Sequence, residues 1–426
     1  MRKLSRSLAV LLLADRDSAQ EAAMILSKEG LWERAIELAI LWRVIPQFRR
    51  RLRELKIQLA PEHLTRLQEA SVVGTAQSVA CLNHAVNTIR LLQESGIEAA
   101  VFKGIGLMGN LYAGPSERMV TDVDILIDGT NLKKALESIA SSSASFTPSD
   151  LVVYVDFLKK NSYHRLDNDF LYLTSEDGIK IDLQWSFGAQ PPLAMEAARI
   201  LQRTQRVNLL GTAIHVPAPA DAIAISAHHA MRNNFTPAST LKDLCDIMAW
   251  WRVEGKAWEI DGVVMHLREC RLSAPTMALW ALLRDFDAES PAILGLNEFQ
   301  KRATAEEIRD SRHLQMSLTL QLDGAALNAD LLRIVIDPMW IKGHIVNKVR
   351  TIVEGATDLR SHGETDVPSM SRRGQMLFRE IFRLNLKRLE CYAAMKRSEH
   401  TYANHTSRHF ELKPRYGSTE QVMDHG

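Results

Sequence analysis

Apolar positions in the first 95 residues recur with helical spacing. Trp32, Ile36 and Ile40 fall every four residues, and Leu31, Ala35, Leu38 and Trp42 widen that face. Pro46 ends this helix or opens the next at its first turn. The helical pattern resumes at Pro61, runs through Leu82, Val86, Ile89 and Leu92, and meets a natural stop at Gly96.

From residue 97 the period changes. A β-favouring run covers 97–102, and Ile105, Met108 and Tyr112 then recur as a helix over 105–113 would require. A strand follows at 122–127, then a helix over 130–140 with Thr130 as its cap. Leu151–Val155 reads as a strand. Phe170–Thr174 and Ile179–Leu183 read as two strands of a hairpin, turned at Glu176-Asp177-Gly178. In the second of these, Ile179, Ile181 and Leu183 alternate with Lys180, Asp182 and Gln184. From 219 to 400 the pattern is helical again. The predicted fold class is α+β, with a small mixed sheet embedded between larger helical regions. The expected divisions are 1–96 (helical), 97–188 (sheet core), 189–400 (helical) and a flexible tail, 401–426.

Composition narrows the class. The chain has 426 residues, a formal charge of +1, 24% charged and 46% hydrophobic residues. This fits an ordinary soluble globular protein and no strongly basic nucleic-acid binder. No apolar run approaches the ~20 residues of a membrane span. Leu8–Ala14 follows Lys3 and Arg6 but runs into Asp15-Arg16-Asp17, so it reads as a first helix of the folded domain rather than a leader. Cys81, Cys245, Cys270 and Cys391 are widely spaced and form neither a metal-ligand pair nor a disulfide framework, so a cytoplasmic location is expected.

The candidate chemistry lies in the middle. Asp122 and Asp124 are two apart on a predicted strand, so their carboxylates share a face. Two such acids repel unless a cation sits between them, and hard oxygen donors suit Mg²⁺ or Mn²⁺. Alone, the pair also fits a turn Asp followed by an ordinary strand Asp. The order strand, Lys103-Gly104, helix, acidic strand is more specific. Gly104 lets a backbone approach a ligand, a helix start favours phosphate, and Lys103 adds charge. Asp182, on the polar side of its strand, is a candidate third carboxylate. Asp243 and Asp246, at i,i+3 on a helix, could join His228 or His229 as metal ligands on spacing alone. A hydrogen-bonded histidine and surface carboxylates are the simpler account. His164 reads as a polar contact.

Glycine after a first strand, Asp-x-Asp on a second and a lone Asp on a later strand resemble the polymerase-β-type nucleotidyltransferase superfamily. The likeness is closest to a branch of uncharacterised bacterial nucleotidyltransferases with Lys-Gly where the superfamily has Gly-Ser. It is carried by Lys103-Gly104, Tyr112, Arg118, Asp122–Ile127 and Ile181–Trp185, with support from Trp42–Pro46, Gly96-Ile97, His228-His229 and Leu241–Asp246. It covers roughly residues 20–300. The resemblance implies that Asp122, Asp124 and Asp182 are catalytic and hold Mg²⁺, with Mn²⁺ as a substitute. It implies a nucleotide site at Lys103, Gly104, Arg118 and Asp243. The implied reaction is metal-dependent transfer of a nucleoside monophosphate from an NTP, ATP foremost, to a hydroxyl acceptor.

A small molecule or a protein hydroxyl is the expected acceptor. The basic stretch from Lys342 to Arg388 leaves nucleic acid as a possible partner. Two rival readings stand beside this one. One is a non-catalytic protein that binds nucleotide or a partner; the other is a phosphotransferase moving the γ-phosphoryl group.

Overall fold

A computed structural model describes residues 2–141, 170–188, 191–233, 237–254, 260–286 and 292–322. The expected strand at 151–155, His164, the basic stretch 342–388, Cys391 and the tail 401–426 lie outside the described residues.

The N-terminal helices are α1 (Arg2–Leu13), α2 (Arg16–Lys28), α3 (Trp32–Leu41), α4 (Ile45–Glu54) and the long α5 (Pro61–Glu94). Each follows the apolar spacing of its sequence. Leu8, Leu11 and Leu13 of α1 are buried in the core, as a first domain helix requires. Pro46 and Pro61 lie in the first turns of α4 and α5, where a missing N–H costs nothing. Gly96 closes α5 at φ 66°, a conformation that glycine adopts without Cβ strain.

The sheet follows: β1 (Ala99–Phe102), β2 (Asp122–Ile127), β3 (Phe170–Thr174), β4 (Lys180–Gln184), β5 (Gln205–Leu209) and β6 (Thr212–Val216). Its order is β3-β4-β2-β1-β6-β5. The β2–β4 and β1–β6 pairs are parallel, and β1–β2, β3–β4 and β5–β6 are antiparallel. One face carries Val101, Val123, Ile125, Ile181 and Leu183 against Leu82, Val86 and Ile89 of α5 and Leu132 and Leu136 of the following helix, α7 (Leu132–Ser141). Each such buried aliphatic side chain contributes about 1.5–3 kcal/mol. On the opposite face, Ala100, Phe102 and Leu126 join the larger helical core.

Three expectations change. The helix predicted over 105–113 is a single turn, α6 (Lys103–Gly106). Gly109 turns to φ 86° and its N–H bonds to Tyr112 O, which takes the chain out of the helix. The cap of the 130–140 region is Asp128, whose carboxylate accepts the Thr130 N–H at 2.8 Å, not Thr130 itself. The region after 188 is not wholly helical, because the β5–β6 hairpin extends the sheet.

Beyond it come α8 (Ala197–Gln202), α9 (Pro219–Arg232), α10 (Pro237–Glu254), α11 (Ile260–Glu269), α12 (Ser273–Phe286), α13 (Ala292–Arg302) and α14 (Ala305–Leu322). Among the described residues no helix is long and apolar enough to cross a membrane. Cys81, Cys245 and Cys270 are buried and outside any disulfide.

Candidate active site

Strand register brings the three acids together. Asp124 on β2 is the direct partner of Asp182 on the parallel β4, and Asp122 precedes Asp124 by two residues on the same face. The row continues on both sides: Phe102 of β1 stands opposite Asp124, and Tyr172 of β3 opposite Asp182. Asp182, 58 positions beyond Asp124 in the sequence, is thus brought to one strand spacing from it, roughly 4.8 Å.

Asp124 is buried and Asp182 half-buried. Lys103 Nζ donates to Asp124 Oδ1 at 2.5 Å and lies 4.9 Å from the centre of the Phe102 ring. Burial works against the charged Lys103 ammonium, but the Asp124 carboxylate outweighs it and lifts the pKa above the usual lysine value. Asp182 has no such cation: its Oδ1 is buried without a hydrogen-bond partner among the described residues. Burial first, then the negative charge of Asp124, push its pKa from 3.8 to about 7.

A buried carboxylate oxygen without a donor, beside a second carboxylate, is a cation-seeking arrangement. The donors are hard oxygens and fit Mg²⁺ or Mn²⁺ in kind. Among the described residues no three ligand side chains stand close enough together to hold a metal ion as arranged. The Lys103 ammonium already bonds Asp124 where a metal ion would compete.

Lys103 takes φ 51°, an uncommon conformation for a residue with a Cβ. Gly104 follows, and a Cβ there would meet Val120 Cγ2 at 2.9 Å. Packing against Val120 therefore also requires this glycine. The tighter restriction is at Gly106, where a Cβ would lie 2.5 Å from the Val101 carbonyl oxygen. The one-turn α6 offers a few local amides rather than the dipole of a long helix.

Arg118 and Asp243, expected in the nucleotide site, are both buried and already paired. Arg118 donates from Nε to Asp246 Oδ1 at 2.8 Å and from Nη2 to Oδ2 at 2.7 Å. Its Nη1 bonds Met119 O, and Tyr112 Oη donates to Asp246 Oδ1 at 2.7 Å. Burial would lower the Arg118 pKa, but Asp246 more than restores it. This clamp ties the approach to β2 to α10. Asp243 accepts from or faces His229 Nδ1 at 2.9 Å. Asp243 and Asp246 are thus interior anchors, not the surface carboxylates that i,i+3 spacing predicted. His228 is also interior, its ring edge-on to Phe187 at 5.6 Å, and burial first and the nearby Arg232 second lower its pKa to about 3.

Sequence reasoning missed two cations. Lys242, half-buried on α10, lies one turn before Asp246 on the same helix face. Burial, then the charge of Arg118, lowers its pKa, while Asp243 and Asp122 oppose that shift. Arg43 donates from Nη1 to Thr121 Oγ1 at 2.5 Å, next to Asp122. A cation beside a predicted acidic strand could have signalled neither, since the partners are far apart in sequence.

A family model described as an uncharacterised nucleotidyltransferase matches residues 28–286, more than half of the chain and all of the acid site. No curated protein matches the chain.

Proposed function

We propose, from the premise that this chain belongs to the uncharacterised nucleotidyltransferase family, that it moves a nucleoside monophosphate from an NTP to a hydroxyl acceptor. The observation that carries this reading is the register pairing of Asp124 with Asp182, with Asp122 on the same face and Asp182 Oδ1 lacking a partner. Asp122 and Asp124 would hold Mg²⁺ or Mn²⁺, and Asp182 would share a second ion. When bound, the metal supplies positive charge to the phosphates and acidifies the attacking hydroxyl. Gly104 amides and Lys103 would receive the β- and γ-phosphates. Arg118 would act from behind the site by tying the approach to β2 to α10, and Asp243 by pairing α10 with His229 of α9, rather than by touching nucleotide.

In the proposed reaction the acceptor oxygen bonds the α-phosphorus. The bond from that phosphorus to the bridging oxygen breaks, and pyrophosphate leaves. Asp182 would take the hydroxyl proton of the acceptor as its oxygen attacks. ATP is the first donor to try; a small molecule or protein hydroxyl is the first acceptor class.

A binding-only reading is favoured by one observation: Lys103 already neutralises Asp124. The test is product identity. The four NTPs, labelled at the α-phosphate, are incubated with the protein, Mg²⁺ and fractions of a cell extract. Labelled acceptor with released pyrophosphate supports transfer. Nucleoside diphosphate would mean phosphotransfer, and binding without any product would leave the binding-only reading.

A further inference from the structure

The acid row ends in an aromatic pair on the edge strand. Phe170 and Tyr172 are two apart on β3, so both face the same side as Asp182. Their rings meet at 4.7 Å and 76°. The Arg232 guanidinium lies 4.5 Å from the centre of the Phe170 ring, so the pair is braced from α9. Tyr172 is nonetheless 54% exposed, a large aromatic left open at the mouth of a buried polar row. A sheet edge is normally blunted with charge or short polar residues, not with an open ring.

We propose that Tyr172, backed by Phe170 and Arg232, is the platform on which the base of the donor nucleotide stacks. This rests on the nucleotide reading above. Across the sheet the order is Lys103-Gly104, Asp124, Asp182, Tyr172. With the β- and γ-phosphates at Lys103-Gly104 and the α-phosphate at Asp124, the nucleoside points toward Tyr172. Two strand spacings, roughly 10 Å, separate the Asp124 and Tyr172 positions, a span that a ribose and its base bridge. A π-face binds every base, so the platform favours purines over pyrimidines only through greater overlap.

The experiment separates base from phosphate. Mg-ATP and Mg-tripolyphosphate are titrated calorimetrically into the full chain, Tyr172→Phe, Tyr172→Leu and Tyr172→Ala. Loss of the ring is expected to weaken ATP about tenfold, in the range that base–aromatic stacking supplies. Tripolyphosphate affinity is expected to stay unchanged, and Tyr172→Phe to bind ATP as the parent does. Tyr172→Leu keeps bulk in the edge strand and covers the case in which the alanine variant folds poorly. Unchanged ATP affinity in the leucine and alanine variants, with tripolyphosphate still bound, overturns the platform and leaves the phosphate site standing. Equal loss of both ligands also overturns it, because the effect would then not be on the base. Failure of the parent protein to bind either ligand removes the nucleotide reading itself.

Discussion

Asp246 offers a quantitative test of how the site is held. Its carboxylate accepts two bonds from Arg118 and one from Tyr112, and all three side chains are buried. Asp246→Asn keeps the volume but removes the charge. Arg118 is then left a buried cation with no opposing charge at this position, its acceptors reduced to the Met119 carbonyl and one amide oxygen. Breaking a buried pair in this way costs about 3–5 kcal/mol, because the remaining charge stays desolvated. Domain stabilities are typically ~5–15 kcal/mol, so the loss is a large fraction of the whole. The assay is urea unfolding at pH 7, followed by fluorescence and circular dichroism, with the parent and variant compared at equal slope. A second variant, Arg118→Met with Asp246→Leu, removes both charges, and most of the lost stability is expected to return. At temperatures where Asp246→Asn is folded, its affinity for Mg-nucleotide should also fall, since β2 has lost its tie to α10. A cost under about 1 kcal/mol, the size of an exposed ion pair, would refute the claim that the clamp is a buried charge pair.

Asp182→Asn should stabilise the metal-free protein in chelator at pH 8 but not at pH 4. The folded-state pKa of Asp182 is raised from 3.8 to about 7, so its penalty is absent below the unfolded value and grows until pH passes about 7. Three pH units cap the gain near ~4 kcal/mol, and coupling to Asp124 makes it smaller; thermal unfolding at the two pH values checks the sign. Gly106→Ala should destabilise strongly, because its Cβ would strike the Val101 carbonyl, while Gly104→Ala should cost less, because its Cβ would meet the Val120 side chain rather than backbone. Unfolding temperatures in the reverse order would show that backbone contact is not what restricts this loop. A Gly104→Val exchange would not report on phosphate binding alone, because it would disturb Val120 packing as well.

The placement of the acids was legible where the alternation was clear. Period two in Ile179–Gln184 and the Asp122/Asp124 spacing placed all three acids on strand faces, and the described sheet pairs Asp124 with Asp182, with Asp122 two residues before on the same face. The β5–β6 hairpin had a similar signal, with Val207, Leu209, Ile214 and Val216 buried around a turn at Gly211, φ 76°. The long helical runs around it hid that signal. The 105–113 helix was overread because Ile105, Met108 and Tyr112 are buried on a one-turn helix and a loop, not on one stripe. The burial of Asp243 and Asp246 was not legible at all. Their i,i+3 spacing looks like a solvated face until Arg118 and His229 arrive from other elements.

Asp122, Asp124 and Asp182 are proposed to form a metal-dependent transfer site. Asp124→Asn keeps the shape of the most buried acid and removes its charge. The decisive measurement is Mg²⁺-dependent transfer of label from α-phosphate-labelled ATP into acceptor, with pyrophosphate counted, for the parent and the folded variant. Transfer is expected in the parent and none in Asp124→Asn. Parent-like transfer in folded Asp124→Asn would contradict it.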